Sequence, residues 1–162
     1  MPTKTPAKQT LPSKLNIEIQ YASPAIENKI SAIASSVLVK KWVKQATAYN
    51  GLITLRFVNQ TEGKKLNLAF RNKDKATNVL TFPYELTKKT LVADIIFCLP
   101  IIQKEASEQN KTVKAHLAHL IIHGCLHAQG FDHEIEKEAK KMEDREIKLL
   151  KSLGFSNPYM AI

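Results

Sequence analysis

Leu15, Ile17, Ile19 and Tyr21 alternate with polar residues, a period of two that predicts a half-buried strand. Ser23-Pro24 then supplies a helix N-cap with proline in the first turn. Ile26, Ile30, Ile33 and Val37 recur at helical spacing, and the pattern predicts one helix running to Asn50-Gly51. Residues 52–58 read as a second strand. Thr61 to Arg71 follows as a short helix with Leu66 and Phe70 inward, then Asn72 to Lys75 as a polar loop. Val79–Phe82 is a third strand closed by Pro83, and Thr87–Thr90 is a basic turn before a strand over Leu91–Cys98. Pro100 opens a helix to Asn110, Thr112 caps one from Val113 to Gln129, and a last helix from Glu134 to Leu153 stops at Gly154. No repeat or linker divides the chain. Mixed runs of this kind predict an α+β fold of about four strands with helices packed on a face.

At 162 residues, 44% hydrophobic and 24% charged, the chain is of a size and composition for one globular domain. That domain is expected over residues 15–162. Residues 1–14 hold Pro2, Pro6 and Pro12 with Lys4, Lys8 and Lys14 and no acid, and read as a disordered basic tail. The formal charge of +9 favours an anionic partner, nucleic acid before a membrane surface. Cys98 and Cys125 sit in apolar runs without a CxxC neighbour, so a disulfide framework is not expected and a reducing cytoplasm is. Cys125, two residues from His123, reads as a small buried hydrophobe. No apolar run approaches the roughly 18 residues that a membrane span needs.

The chemistry concentrates in His123-Gly-Cys-Leu-His127-Ala-Gln-Gly-Phe-Asp-His133. Histidines at i and i+4 share one helix face. Gly130 can adopt the left-handed conformation that ends a helix and turns the chain back, bringing His133 toward the same point. Three imidazoles with the fourth position open make the catalytic rather than the structural pattern for Zn²⁺, one ion per chain. His119 extends the stripe by one turn, so a His119/His123 pair can also hold a metal. His119 is otherwise read as a group behind the ligands, a substrate-facing group or a packed histidine. The three histidines and the glycine match the metzincin pattern HExxHxxGxxH, yet Gly124 stands where the glutamate base belongs. Peptide hydrolysis would lack its proton acceptor. Phosphodiester cleavage asks instead for a cation opposite the non-bridging oxygens, and Arg71 is the candidate guanidinium. Asp94, Asp132 and the remaining histidines are the available bases.

The stretch from Leu66 to Pro83, then Ala93-Asp94-Ile95, then His119 to His133, closely resembles the YbeY family of bacterial endoribonucleases. The resemblance runs from about Ile53 to Tyr159. It implies a small mixed β-sheet with a metzincin-like histidine helix, a bound zinc ion, and single-strand-specific endoribonuclease activity. It also implies a role in maturation of ribosomal RNA, notably the 3′ end of the small-subunit RNA, and in ribosome quality control. Carried over by position, His123, His127 and His133 match the metal ligands, and Arg71 matches the arginine required for activity, so that Arg71 and His123 are the expected catalytic pair. Lys73, Asp74 and Asn78 lie in the matched segment as site-wall residues, and Arg71, Lys73, Asn78 and His119 are the expected contacts to substrate. Ala76, Ala93 and Ala128-Gln129 depart from the family pattern. The expected partners are ribosomal RNA, the ribosome or small-subunit proteins, and an assembly GTPase. Two other readings compete: a ribosome-assembly factor whose zinc is structural and whose RNA role is binding, and a metallopeptidase, which Gly124 opposes.

Overall fold

The computed structural model describes residues 14–132 and 134–160. In chain order the elements are β1 (Leu15–Tyr21), α1 (Pro24–Ile33), α2 (Ser36–Ala46), β2 (Asn50–Val58), α3 (Gln60–Arg71), β3 (Val79–Leu86), β4 (Thr90–Cys98), α4 (Leu99–Glu108), α5 (Val113–Ala128) and α6 (Glu136–Ser152). The strands form one sheet in the order β1-β2-β4-β3. β1 and β4 each run parallel to β2, and β3 runs antiparallel to β4. This is the expected α+β architecture with a mixed sheet.

Central position explains the composition of β2 and β4, whose Ile53, Leu55, Phe57, Leu91, Ile95 and Phe97 are fully buried. Phe57 stacks between Tyr21 and Phe97, with ring centroids 5.8 and 5.2 Å away. Their main core is shared with α1, α2, α5 and α6, whereas a smaller cluster of Val58, Leu80, Ile96 and Cys98 packs with Leu66, Phe82 and Ile101. The edge strand β1 buries its alternate residues only in part, which is why its period of two is so clear.

Four local expectations need correction. The single helix predicted from Ser23 to Asn50 is two, because Ser35 is extended and its Oγ accepts the Leu38 N–H, starting α2 with a fresh N-cap. The new helix has another phase: Val39, Trp42, Val43 and Ala46 face the core while Val37 is exposed. Asn50-Gly51 then opens β2, pairing with Thr90 and Leu91. Phe70 points outward, packing edge-on against Phe82 with centroids 5.3 Å apart, while Gly63 and Asn67 form the buried face of α3. The third strand continues through Pro83 to Leu86 with a register shift between Pro83 and Glu85. As β3 is an edge strand, the missing proline N–H costs no ladder bond.

α5 lies at the centre of the molecule, against α2, α4, α6, β3 and β4. The approach to β4 leaves no room at Gly124: a Cβ there would lie 2.8 Å from Ile95 Cγ2 and 3.5 Å from Val79 Cγ2. The residue in the metzincin glutamate position is thus a packing glycine, and its chemistry is close contact between helix and sheet. Gln129 clamps the other end of α5. Its amide nitrogen donates to Ala46 O (2.6 Å) and Cys125 O (2.9 Å), and its oxygen accepts the Ala48 N–H (3.2 Å).

Both cysteines are free and buried. Burial raises the thiol of Cys98 above its ordinary pKa and pushes that of Cys125 up to about 12. Reactivity requires thiolate and access. An aromatic disulfide reagent is therefore expected to modify neither thiol of the native protein over minutes at pH 8, and both after addition of denaturant. Rapid native labelling of Cys125 would show that α5 opens readily.

Candidate metal centre and basic cleft

Local chemistry sets the frame of α5. Thr112 Oγ1 accepts the Ala115 N–H, satisfying one open donor of the first turn. At the other end Gly130 has φ of 98°, with its N–H donating to His127 O at 3.1 Å and that of Phe131 to Leu126 O at 3.1 Å. The helix stops there and the chain reverses, as the glycine predicted. His133 lies outside the described residues, as do residues 1–13 of the predicted basic tail and residues 161–162.

His116, His119, His123 and His127 form a continuous stripe, with successive ring centroids 6.3, 6.3 and 6.4 Å apart. The stripe divides into two environments. His123 and His127 line an open cleft of about 550 Å³ together with Arg71, Lys73, Asn78 and Thr81. His116 and His119 instead line a separate cavity of about 330 Å³ beneath the C-terminal turn, with Lys111, Leu150 and Phe155. Of the residues expected to meet substrate, Arg71, Lys73 and Asn78 border the cleft, and His119 borders the other cavity.

Arg71 ends α3, and the chain turns directly after it because Asn72 is left-handed, with φ of 57°. One Arg71 Nη2–H donates to Thr81 O at 2.8 Å, and the guanidinium carbon lies 5.7 Å from the centre of the Phe82 ring. A backbone acceptor and an aromatic face thus orient a side chain that would otherwise be a loose surface arginine. The following basic loop is held from below, where buried Asn67 donates its amide N–H to Lys75 O at 2.6 Å. The Asn78 amide is already engaged, donating to the Glu105 carboxylate at 3.1 and 3.3 Å and accepting the Val79 N–H at 2.7 Å. Asp74 lies 3.6 Å from Lys64 on the exposed side of the loop. Asp94 accepts the Tyr84 hydroxyl at 2.9 Å.

The group that the sequence reading missed is Glu146. It lies on α6 and is fully buried. Oε2 accepts Nδ1–H of His123 at 2.5 Å and Oε1 accepts Nε2–H of His119 at 3.2 Å, with the Tyr159 hydroxyl also donating to Oε1. Burial alone would raise this carboxyl, but the donors His119, His123 and Tyr159 outweigh it and hold the pKa down at about 2. Burial and the adjacent carboxylate raise the Tyr159 phenol. A signal was present: Met142, Glu146 and Leu150, four residues apart, form the buried stripe of α6, and an acid on such a stripe needs a partner.

Two donor sets can therefore hold a cation. Ligand atoms of His119, His123 and Glu146 lie within 4.8 Å of one another. His123 and His127, with rings at 84° to each other, face the cleft as the other set. The second set fits zinc chemistry: an ionised Glu146 can only accept, so the His123 proton sits on Nδ1 and Nε2 is the nitrogen with a lone pair that can coordinate a metal.

Fold and site define an α+β domain with a metal-binding histidine helix beside a basic cleft. The chain matches the family model described as Endoribonuclease YbeY over residues 16–154. An Endoribonuclease YbeY from Polynucleobacter asymbioticus is 72% identical over 148 residues, spanning 91% of this chain and 96% of that protein. One from Herminiimonas arsenicoxydans is 48% identical over 155 residues, spanning 91% and 97%. The solution structure of TM1509 from Thermotoga maritima superposes with a TM-score of 0.52 at 24% identity, covering 90% of this chain and 99% of that one, a likeness of fold. The chain belongs to the endoribonuclease YbeY family.

Proposed function

We propose that this protein is a zinc-dependent endoribonuclease that cuts single-stranded RNA during ribosomal RNA maturation in the cytoplasm. His123, His127 and His133 are its ligands, and Arg71 is the residue that holds the scissile phosphate. Family membership supports the reaction class. The observation that carries the assignment to this cleft is that Arg71 and Lys73 share it with His123 and His127. The net charge of +9 favours a polyanion, and no helix among the described residues is long and apolar enough to cross a membrane.

Arg71 binds a non-bridging phosphate oxygen with the N–H groups that Thr81 does not take, and its charge offsets what builds there during cleavage. Lys73 and Lys75 extend the positive wall along the strand. Behind the cleft, buried Glu146 holds the His123 ring by its Nδ1. His123, His127 and His133 would hold a Zn²⁺ ion, which when bound would supply Lewis-acid polarisation of a phosphoryl oxygen and could activate either water or the RNA 2′-hydroxyl. Its proposed partners are ribosomal RNA, the ribosome or small-subunit proteins, and an assembly GTPase.

End-labelled small-subunit ribosomal precursor tests the reading. Purified protein is expected to cut it in single-stranded regions, to lose that activity on chelation and to regain it with added Zn²⁺, while His127→Ala stays inactive at every zinc concentration. Cleavage that is indifferent to both chelator and His127→Ala would refute a metal-dependent reaction in this cleft. Products that end in a 2′,3′-cyclic phosphate would show that the RNA 2′-hydroxyl, rather than water, attacks phosphorus. A folded His123→Ala protein that restores ribosomal RNA processing in cells would instead favour an assembly factor with structural zinc.

A further inference from the structure

We propose that Glu146, gripped by His119 and Tyr159, is a positioning residue that locks His123 as its Nδ1–H tautomer and turns Nε2 toward the cleft. The inference rests on His123 being a ligand, as proposed above. The alternative assigns Glu146 to the metal itself, with His119 and His123.

Geometry separates the two. Donor atoms around a tetrahedral zinc at its usual bond lengths lie roughly 3.3 Å from one another. His123 Nδ1 and Glu146 Oε2 are 2.5 Å apart, a direct charge-assisted hydrogen bond with no space for an ion between them. The other carboxylate oxygen is equally occupied, receiving His119 at 3.2 Å and the Tyr159 hydroxyl. His119 Nε2 also lies 3.2 Å from the Tyr159 oxygen, so these three side chains form a closed set. The carboxylate is fully buried, and a buried charge that accepts three hydrogen bonds is held in place. A carboxylate on the outer nitrogen of a ligating imidazole sets its tautomer, orientation and basicity.

The C-terminal turn belongs to this device. Asn157 Oδ1 accepts the Tyr159 N–H at 2.8 Å, and Lys111 Nζ donates to Pro158 O at 2.5 Å, anchoring the turn beside the start of α5. Tyr159 thereby reaches Glu146 from a segment that never touches the cleft. The turn thus contacts Glu146 and His119, and reaches His123 through Glu146.

The test measures zinc affinity by competition with a chromogenic chelator, and the His123 tautomer by imidazole ¹⁵N shifts in the metal-free protein. Glu146→Gln is expected to weaken zinc binding by about 10–100-fold and to convert a single Nδ1–H tautomer into a mixture. Tyr159→Phe, at a partly exposed position that should not compromise folding, is expected to act in the same direction by a smaller factor. Unchanged affinity and tautomer in both variants overturn the inference while leaving the ligand assignment intact. Full zinc affinity in His127→Ala, with binding abolished in Glu146→Gln, overturns it in favour of Glu146 as a ligand. A wild-type protein that binds no zinc removes the ligand assignment and this inference together. Neither readout involves RNA, so absence of cleavage would count against the proposed reaction only.

Discussion

Arg71→Ala is expected to slow cleavage of single-stranded RNA by about 10²–10³-fold, the usual cost of removing one preorganised donor from a developing oxyanion. The effect should fall on the single-turnover rate more than on RNA affinity, because Lys73, Lys75 and the strongly positive net charge that remains still hold the polyanion. Stability should change little. The exposed guanidinium makes one hydrogen bond, to Thr81 O at 2.8 Å, and such a bond contributes about 1 kcal/mol. Arg71→Lys retains the charge but loses the planar fork, and should recover only part of the rate. Single-turnover cleavage beside a thermal melt checks both statements. Wild-type rates in Arg71→Ala would assign the phosphate to another cation.

Gly124→Glu is expected to destroy the fold rather than to install a peptidase. The position completes a metzincin-like motif on paper, yet its Cβ would lie 2.8 Å from Ile95 Cγ2, a branch-point methyl that cannot swing aside. The carboxylate beyond it would start from a wall of Ile95 and Val79 methyls. Stranding an unpaired charge there costs several kcal/mol, a large part of a domain's stability. Gly124→Ala isolates the steric part. Overpacking costs about 1–3 kcal/mol, offset by about 1 kcal/mol of improved helix propensity, so a modest net loss is expected. Urea unfolding of both variants measures this, and a Gly124→Glu protein as stable as wild type would show that α5 can lift from β4.

Features of the chain governed by near neighbours could be read in advance. The cap at Thr112, the left-handed Gly130, the alternation in β1 and the four-residue spacing of the histidines each depend on a few adjacent residues, so a one-dimensional pattern carries them. Arg71 was legible as a candidate for the same reason: it sits at a helix end before a basic loop. Where competing local signals met, the reading slipped. Ser35 was one of several polar residues in a helical run, and only the core contacts of Trp42 and Val43 show that a second helix with a new phase begins there. Pro83 looked like a strand terminator until its strand proved to lie at the sheet edge.

The sequence alone supplies the available chemistry: imidazoles on one helix face, a glycine that ends the helix, an arginine before a basic loop, and excess positive charge. Those follow from residue type and short-range geometry. Tertiary structure alone decided which groups meet. Glu146 is one acid among several in α6, 23 residues from His123, and becomes its partner only because α6 packs on α5. Burial removes water as the competing acceptor, and the carboxylate must then satisfy itself with the imidazoles and the phenol that the fold delivers.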